Sequence, residues 1–169
     1  ALRYPYKLRD NPMICEVLGL ISEVGIEDLS VGNAVDWKDA WANNQVHAIA
    51  MHGVKDAWVR RVHSFDPPGP SDEGLMKDAH LQSSGILIKL SKRVTVQDCV
   101  LKNSQNRGGG GNGYLFEIRQ SGEVLTTGCA AVAGRHNFIQ NWGFGTSGCV
   151  WHNVTSKGGK AMLASTVPQ

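Results

Sequence analysis

Hydrophobic and polar residues alternate along this chain in short runs, and one run recurs. "VGIEDL" (24–29), "AWVRRV" (57–62), "VTVQDC" (94–99) and "CVWHNV" (149–154) share six slots: apolar, variable, apolar, variable, turn-like, apolar. "VLTTGC" (124–129) fits with Thr126 in the third slot. The third slots (Ile26, Val59, Val96, Thr126, Trp151) lie 33, 37, 30 and 25 residues apart. Alternation at the first and third slots is the period-2 signature of a strand. The fifth slot holds Asp28, Arg61, Asp98, Gly128 and Asn153, and Asp, Asn and Gly tolerate bends and left-handed conformations. A corner is expected there, with the sixth slot opening a second strand on a new face.

Upstream of the motifs lie further strand-like runs: "VHAIAMH" (46–52), "GILIKL" (85–90), "YLFEIR" (114–119) and "HNFIQN" (136–141). Only "DWKDAWANN" (36–44) looks helical, for about two turns. Repeats of 25–37 residues built from short strands and turns predict an all-β fold, a parallel β-helix (solenoid) of about five coils. A β-sandwich, with hairpins every 8–12 residues or so, accounts for the strands but not for the recurring motif. The expected domain is single, 1–169, with a short helical or irregular N-terminal cap (1–22), coils (23–158) and a C-terminal tail (159–169). The chain opens on "ALRYPYKLRD" without an initiator Met and reads as a processed or excised piece of a larger protein.

"VGIEDLSV" and "RVTVQDCVLKNS" resemble coils of the right-handed parallel β-helix superfamily that includes pectate lyases and polygalacturonases. "GGGGNGY" and "GRHNFIQNWGFGTSGCVW" resemble segments of secreted bacterial β-helix proteins. The resemblance covers roughly residues 20–158 and implies a right-handed solenoid. It implies little about activity, because that fold hosts enzymes, binding modules and adhesins.

Bulk composition narrows the classes without choosing one. Hydrophobic content of 41% and charged content of 19% suit a folded domain. A net charge of +2 gives no argument for nucleic acid, and no apolar run approaches the roughly 20 residues of a membrane helix. Cys15, Cys99, Cys129 and Cys149 have no zinc-motif spacing. Cys99 and Cys129 share an inward slot, either as a disulfide or, the preferred reading, as two buried thiols.

Candidate chemistry sits in the outward slots. His52, Lys89 and Arg119 follow the inward Met51, Ile88 and Ile118 and stack as three basic groups, with Glu117 nearby. That ladder is either a seat for an acidic glycan or a set of splayed, solvated side chains. The next strand turns Gly25, Trp58, Thr95, Leu125 and Val150 outward, then Glu27, Arg60, Gln97, Thr127 and His152. An outward Trp58 beside Arg60 suits sugar recognition, unless the loop 64–80 covers it. Trp37 and Trp41 read as packing residues, and Trp151 as core. Trp142 lies on a Gly-rich turn.

Catalytic signatures are sparse. Inverting hydrolases need paired carboxylates, and the outward slots offer only Glu27 and Glu117. No cofactor is expected; Asp66, Asp72, Glu73 and Asp78 leave calcium open, without the spacing of a calcium loop. The leading expectation is a non-catalytic module binding a plant cell-wall polysaccharide, xylan- or pectin-like, through His52, Trp58, Arg60, Lys89, Glu117 and Arg119. It would be secreted or cell-surface, beside a catalytic domain in the same chain, with no nucleic-acid or membrane partner. The alternatives are a polysaccharide lyase using His52 or His152 as base with nearby cations, and a structural or adhesin solenoid. "NRGGGGNGYLFEIRQ" (106–120) lacks a following Gly-Lys-Ser/Thr and reads as a wide corner, a hinge rather than a phosphate nest.

Overall fold

The computed structural model describes residues 5–13, 16, 18–34, 37–68, 78–141 and 145–160. Loop residues 69–77, Trp142 and the tail from 161, all subjects of the expectations above, lie outside the described residues.

The strands form where the alternation places them. They are β1 (Ile21–Ser22), β2 (Gly25–Val31), β3 (His47–His52), β4 (Val54–Ser64), β5 (Ser84–Lys89), β6 (Lys92–Gln97) and β7 (Val100–Lys102). Then follow β8 (Tyr114–Arg119), β9 (Gly122–Thr127), β10 (Ala130–Val132), β11 (His136–Asn141), β12 (Val150–His152) and β13 (Thr155–Lys157). One short helix, α1 (Trp37–Ala42), and a 3-10 turn at Leu8–Asp10 complete the described elements. No helix among them is long and apolar enough to cross a membrane.

Every pairing is parallel and joins a strand to its counterpart one repeat away. The four-stranded sheet runs β3, β5, β8, β11. The nine-stranded sheet runs β12, β9, β6, β4, β7, β10, β13, with β1 and β2 also on β4. The expected right-handed parallel β-helix of about five coils with an N-terminal cap is therefore corrected: the strands gather into two parallel sheets, and neither closes or coils into a solenoid. With that fold go the pectate-lyase-like resemblance and the solenoid description that rested on it.

The physical reason lies at the fifth slot. All five residues there do adopt positive φ, from 49° at Arg61 to 65° at Gly128. In the third and fourth repeats the strand stops at this corner, so β6 and β7, and β9 and β10, are separate. In the first two, β2 and β4 run straight through it. β4 therefore carries β6 along one stretch and β7 at His63, and the two expected faces merge into one branched sheet.

The core lies between the sheets. Ile49, Ile86, Phe116 and Phe138 form one row of register partners, and Phe116 stacks on Phe138 with ring centroids 4.9 Å apart. Facing them are Val59, Val96 and Thr126 from the third slot, and Val62, Cys99 and Cys129 from the sixth. Burying each such aliphatic side chain contributes about 1.5–3 kcal/mol. Cys99 and Cys129 are free thiols, and Cys129 Sγ accepts from Cys99 N at 3.5 Å. Neighbouring rungs thus use the two sulfurs as small apolar groups. Ser91 and Ser121 fill the corner between the sheets, where Ser121 Oγ accepts from Ser91 N at 3.1 Å.

Candidate functional site

The six candidate residues fall on two sheets, either side of that corner. On the four-stranded sheet the basic row is in register as expected: His52 opposes Lys89, Lys89 opposes Arg119, and Arg119 opposes Asn141. His52 is exposed, while Lys89 and Arg119 are half-buried.

Glu117 is not on the surface at all. It points away from the core residues Phe116 and Ile118, yet is 1% exposed. Its carboxylate is held on several sides. Arg119 Nε donates to Oε1 at 2.5 Å, Asn141 Nδ2 donates to Oε1 at 3.0 Å, and His47 Nε2 lies 3.1 Å from Oε2. Arg119 Nη2 also donates to Gln45 Oε1 at 3.1 Å. Burial works against the charge of Glu117, but the hydrogen bonds from His47, Arg119 and Asn141 outweigh it and hold the carboxyl below its usual range. Glu117 and Arg119 are thus committed to each other. Sequence reasoning missed Gln45, His47 and Asn141, which complete the cluster. The available signal was a carboxylate in the apolar run "YLFEIR", since a buried charge requires partners.

The glycine-rich segment before β8 is fastened rather than free. Gly110, Gly111 and Gly113 have φ of 72°, 86° and 76°. Gln45 Nε2 donates to the Gly110 carbonyl at 2.9 Å. The buried Asn112 Oδ1 accepts from Gln45 N at 2.8 Å and Ser83 Oγ at 2.9 Å. Trp41 lies so close to Gly108 that a Cβ there would meet its ring at 2.5 Å. Trp41 is therefore a packing residue over the glycines, although 47% of it is exposed.

The other two candidates belong to the nine-stranded sheet. Trp58 pairs with Gly25 and Thr95, which continues to Leu125 and Val150. Arg60 pairs with Glu27 and Gln97, which continues to Thr127 and His152. These are the two outward rows expected from the motif. The Trp58 indole lies across Gly25, where a Cβ would come within 2.0 Å of Nε1. The Arg60 guanidinium sits 5.5 Å from the ring centroid, a cation–π contact. Neither Trp58 Nε1 nor Arg60 Nε has a hydrogen-bond partner. Further along, Thr127 Oγ1 and His152 Nδ1 are 3.1 Å apart. Leu125 and Val150 are 38% and 50% exposed, while Trp58, Arg60, Thr95 and Gln97 are half-buried, so the strip is most open toward β9 and β12.

Other charged groups near the strip are already paired. Arg61 binds Asp28 and Glu27, Arg93 binds Asp56, and Lys92 lies 3.8 Å from Glu123. Among the described residues no group of three or more His, Cys, Asp or Glu could hold a metal ion. Asp72 and Glu73, half of the expected calcium set, lie outside those residues. The cations invoked for a lyase are divided, with Arg119 tied to Glu117 and Arg60 on the other sheet. No protein family, curated protein or solved structure matches the chain.

Proposed function

We propose that this chain is a non-catalytic binding module for an extended polysaccharide, which lies along the two outward rows of the nine-stranded sheet. The observation that carries the reading is the strip itself. Trp58, Thr95, Leu125 and Val150 run beside Glu27, Arg60, Gln97, Thr127 and His152, and the strip is partly or fully exposed along its length. Parallel rungs repeat these groups at about 4.8 Å, so a linear chain of similar units meets similar groups along its length. The indole offers an apolar surface to a sugar ring, and amide, hydroxyl and imidazole groups read hydroxyls. Lys89, around the corner, adds positive charge at the margin, with the exposed His52 ring beside it.

Affinity electrophoresis in gels containing xylan, pectin, alginate or β-glucan tests this. Retardation by at least one glycan is expected, and Trp58→Ala should weaken it about tenfold or more, the loss of one stacked ring. Migration unchanged by every glycan removes the reading. Retardation that survives both Trp58→Ala and Arg60→Ala places the site elsewhere.

A further inference from the structure

The inward slots are closed in the middle of the molecule and open at its two ends. In the third slot Val59, Val96 and Thr126 are 0–2% exposed, whereas Ile26 and Trp151 are only half-buried. In the sixth slot Val62, Cys99 and Cys129 are 0–1% exposed, while Leu29 is 40% exposed and Val154 half-buried. The terminal rungs carry the same pattern as the middle ones and, among the described residues, lack a neighbour. Among the described residues β2 is paired by β4 alone, β12 by β9 alone and β13 by β10 alone. Among the described residues each therefore presents a row of unused backbone N–H and C=O groups.

We propose that a second copy of this chain supplies the missing neighbour, its β2 edge pairing in parallel with the β12–β13 edge, head to tail. Both branches of the sheet give the same register. Partners run Gly25, Trp58, Thr95, Leu125, Val150 along one branch, so the next Gly25 falls on Val150. They run Ser30, His63, Val100, Ala130, Thr155 along the other, so the next Ser30 falls on Thr155. One β2 thus spans β12 and β13, as β4 spans β6 and β7. In that register Ile26 covers Trp151, Leu29 covers Val154, and Glu27 faces His152. Charge supports the same partner: exposed Glu23, Glu27 and Asp28 mark the first edge, and exposed Lys157 and Lys160 mark the last, with the exposed His152 ring set to face Glu27. Arg61 offsets part of the acidic edge through Glu27 and Asp28. Because unlike edges meet, the contact is heterologous and does not close at two copies. It would also continue the outward rows from one copy to the next, and it stands whether or not those rows bind a glycan.

Sedimentation velocity of the full chain, from micromolar to roughly 1 mM, tests the proposal. Open-ended association that grows with concentration and weakens with salt is expected. His152→Glu should weaken it about tenfold or more by placing like charges opposite one another, and Glu27→Lys should weaken it by removing the acidic partner and setting a cation against the basic last edge. The two single variants mixed should recover open-ended association, with the variants alternating along the assembly, and the double swap should self-associate again. Leu29→Lys provides a second, apolar probe of the same edge and should also weaken association. A monomer at every concentration overturns the proposal. So does a dimer that saturates, or association indifferent to all three substitutions.

Discussion

Glu117 shows how a single side chain can look like surface in a pattern and be interior in fact. Its neighbours supply donors from residues 47, 119 and 141, so truncating it strands the Arg119 guanidinium and the His47 ring. Glu117→Ala should therefore cost about 3–5 kcal/mol in urea unfolding, the range for breaking a buried ion pair. The pH dependence has a definite sign. A carboxyl lowered on folding from its ordinary 4.5 contributes stability that is fully present above that value and is lost as pH falls through the folded value. Glu117→Gln should flatten this part of the acid limb, and unfolding midpoints between pH 6 and 3 read the difference. Asp28 and Asp56 are lowered too, by hydrogen bonds from Arg61 and Arg93, but they are exposed and lend little. Gly25 is the second residue with an outsized role, because the Trp58 indole occupies the space of its missing Cβ. Gly25→Ala should displace the ring, cost about 1–3 kcal/mol and shift the tryptophan emission.

The recurring element is a strand with a left-handed residue built into it. Arg61 has φ of 49° within β4, where a β-branched side chain is poorly tolerated. Arg61→Val should cost about 1–2 kcal/mol, whereas Arg61→Gly should be nearly neutral, trading backbone strain against an exposed ion pair. Thermal melts of the two variants separate backbone from charge. This corner was legible in the sequence, because Asp, Asn or Gly recurs at the same slot of four repeats. The strands, the buried sixth slot and the register of both outward rows were legible for the same reason. How the corner shapes the sheet was not. Whether a strand stops or continues depends on its neighbours' hydrogen bonds, and β4 continues with the same φ that ends β6. The Glu117 cluster was hidden for a related reason: its members are 2 to 72 residues from Glu117, and no local pattern joins them.

At the scale of the whole molecule, burial falls from the middle rungs to both ends, and stability should follow it. Hydrogen exchange should be slowest in β4, β6, β5 and β8 and fastest in β1, β2, β12 and β13. Mass-resolved exchange over minutes to hours reads this order directly, and uniform protection would contradict it. The arrangement has a mechanical consequence as well. The first strands, β1 and β2, and the last, β12 and β13, lie at opposite edges of the nine-stranded sheet. A load applied across those edges acts along the inter-strand hydrogen bonds rather than along the strands. Such a pull opens one rung at a time, like a zipper, at low force and in several small steps. Each step would release one repeat's length of chain, and the middle rungs would yield last.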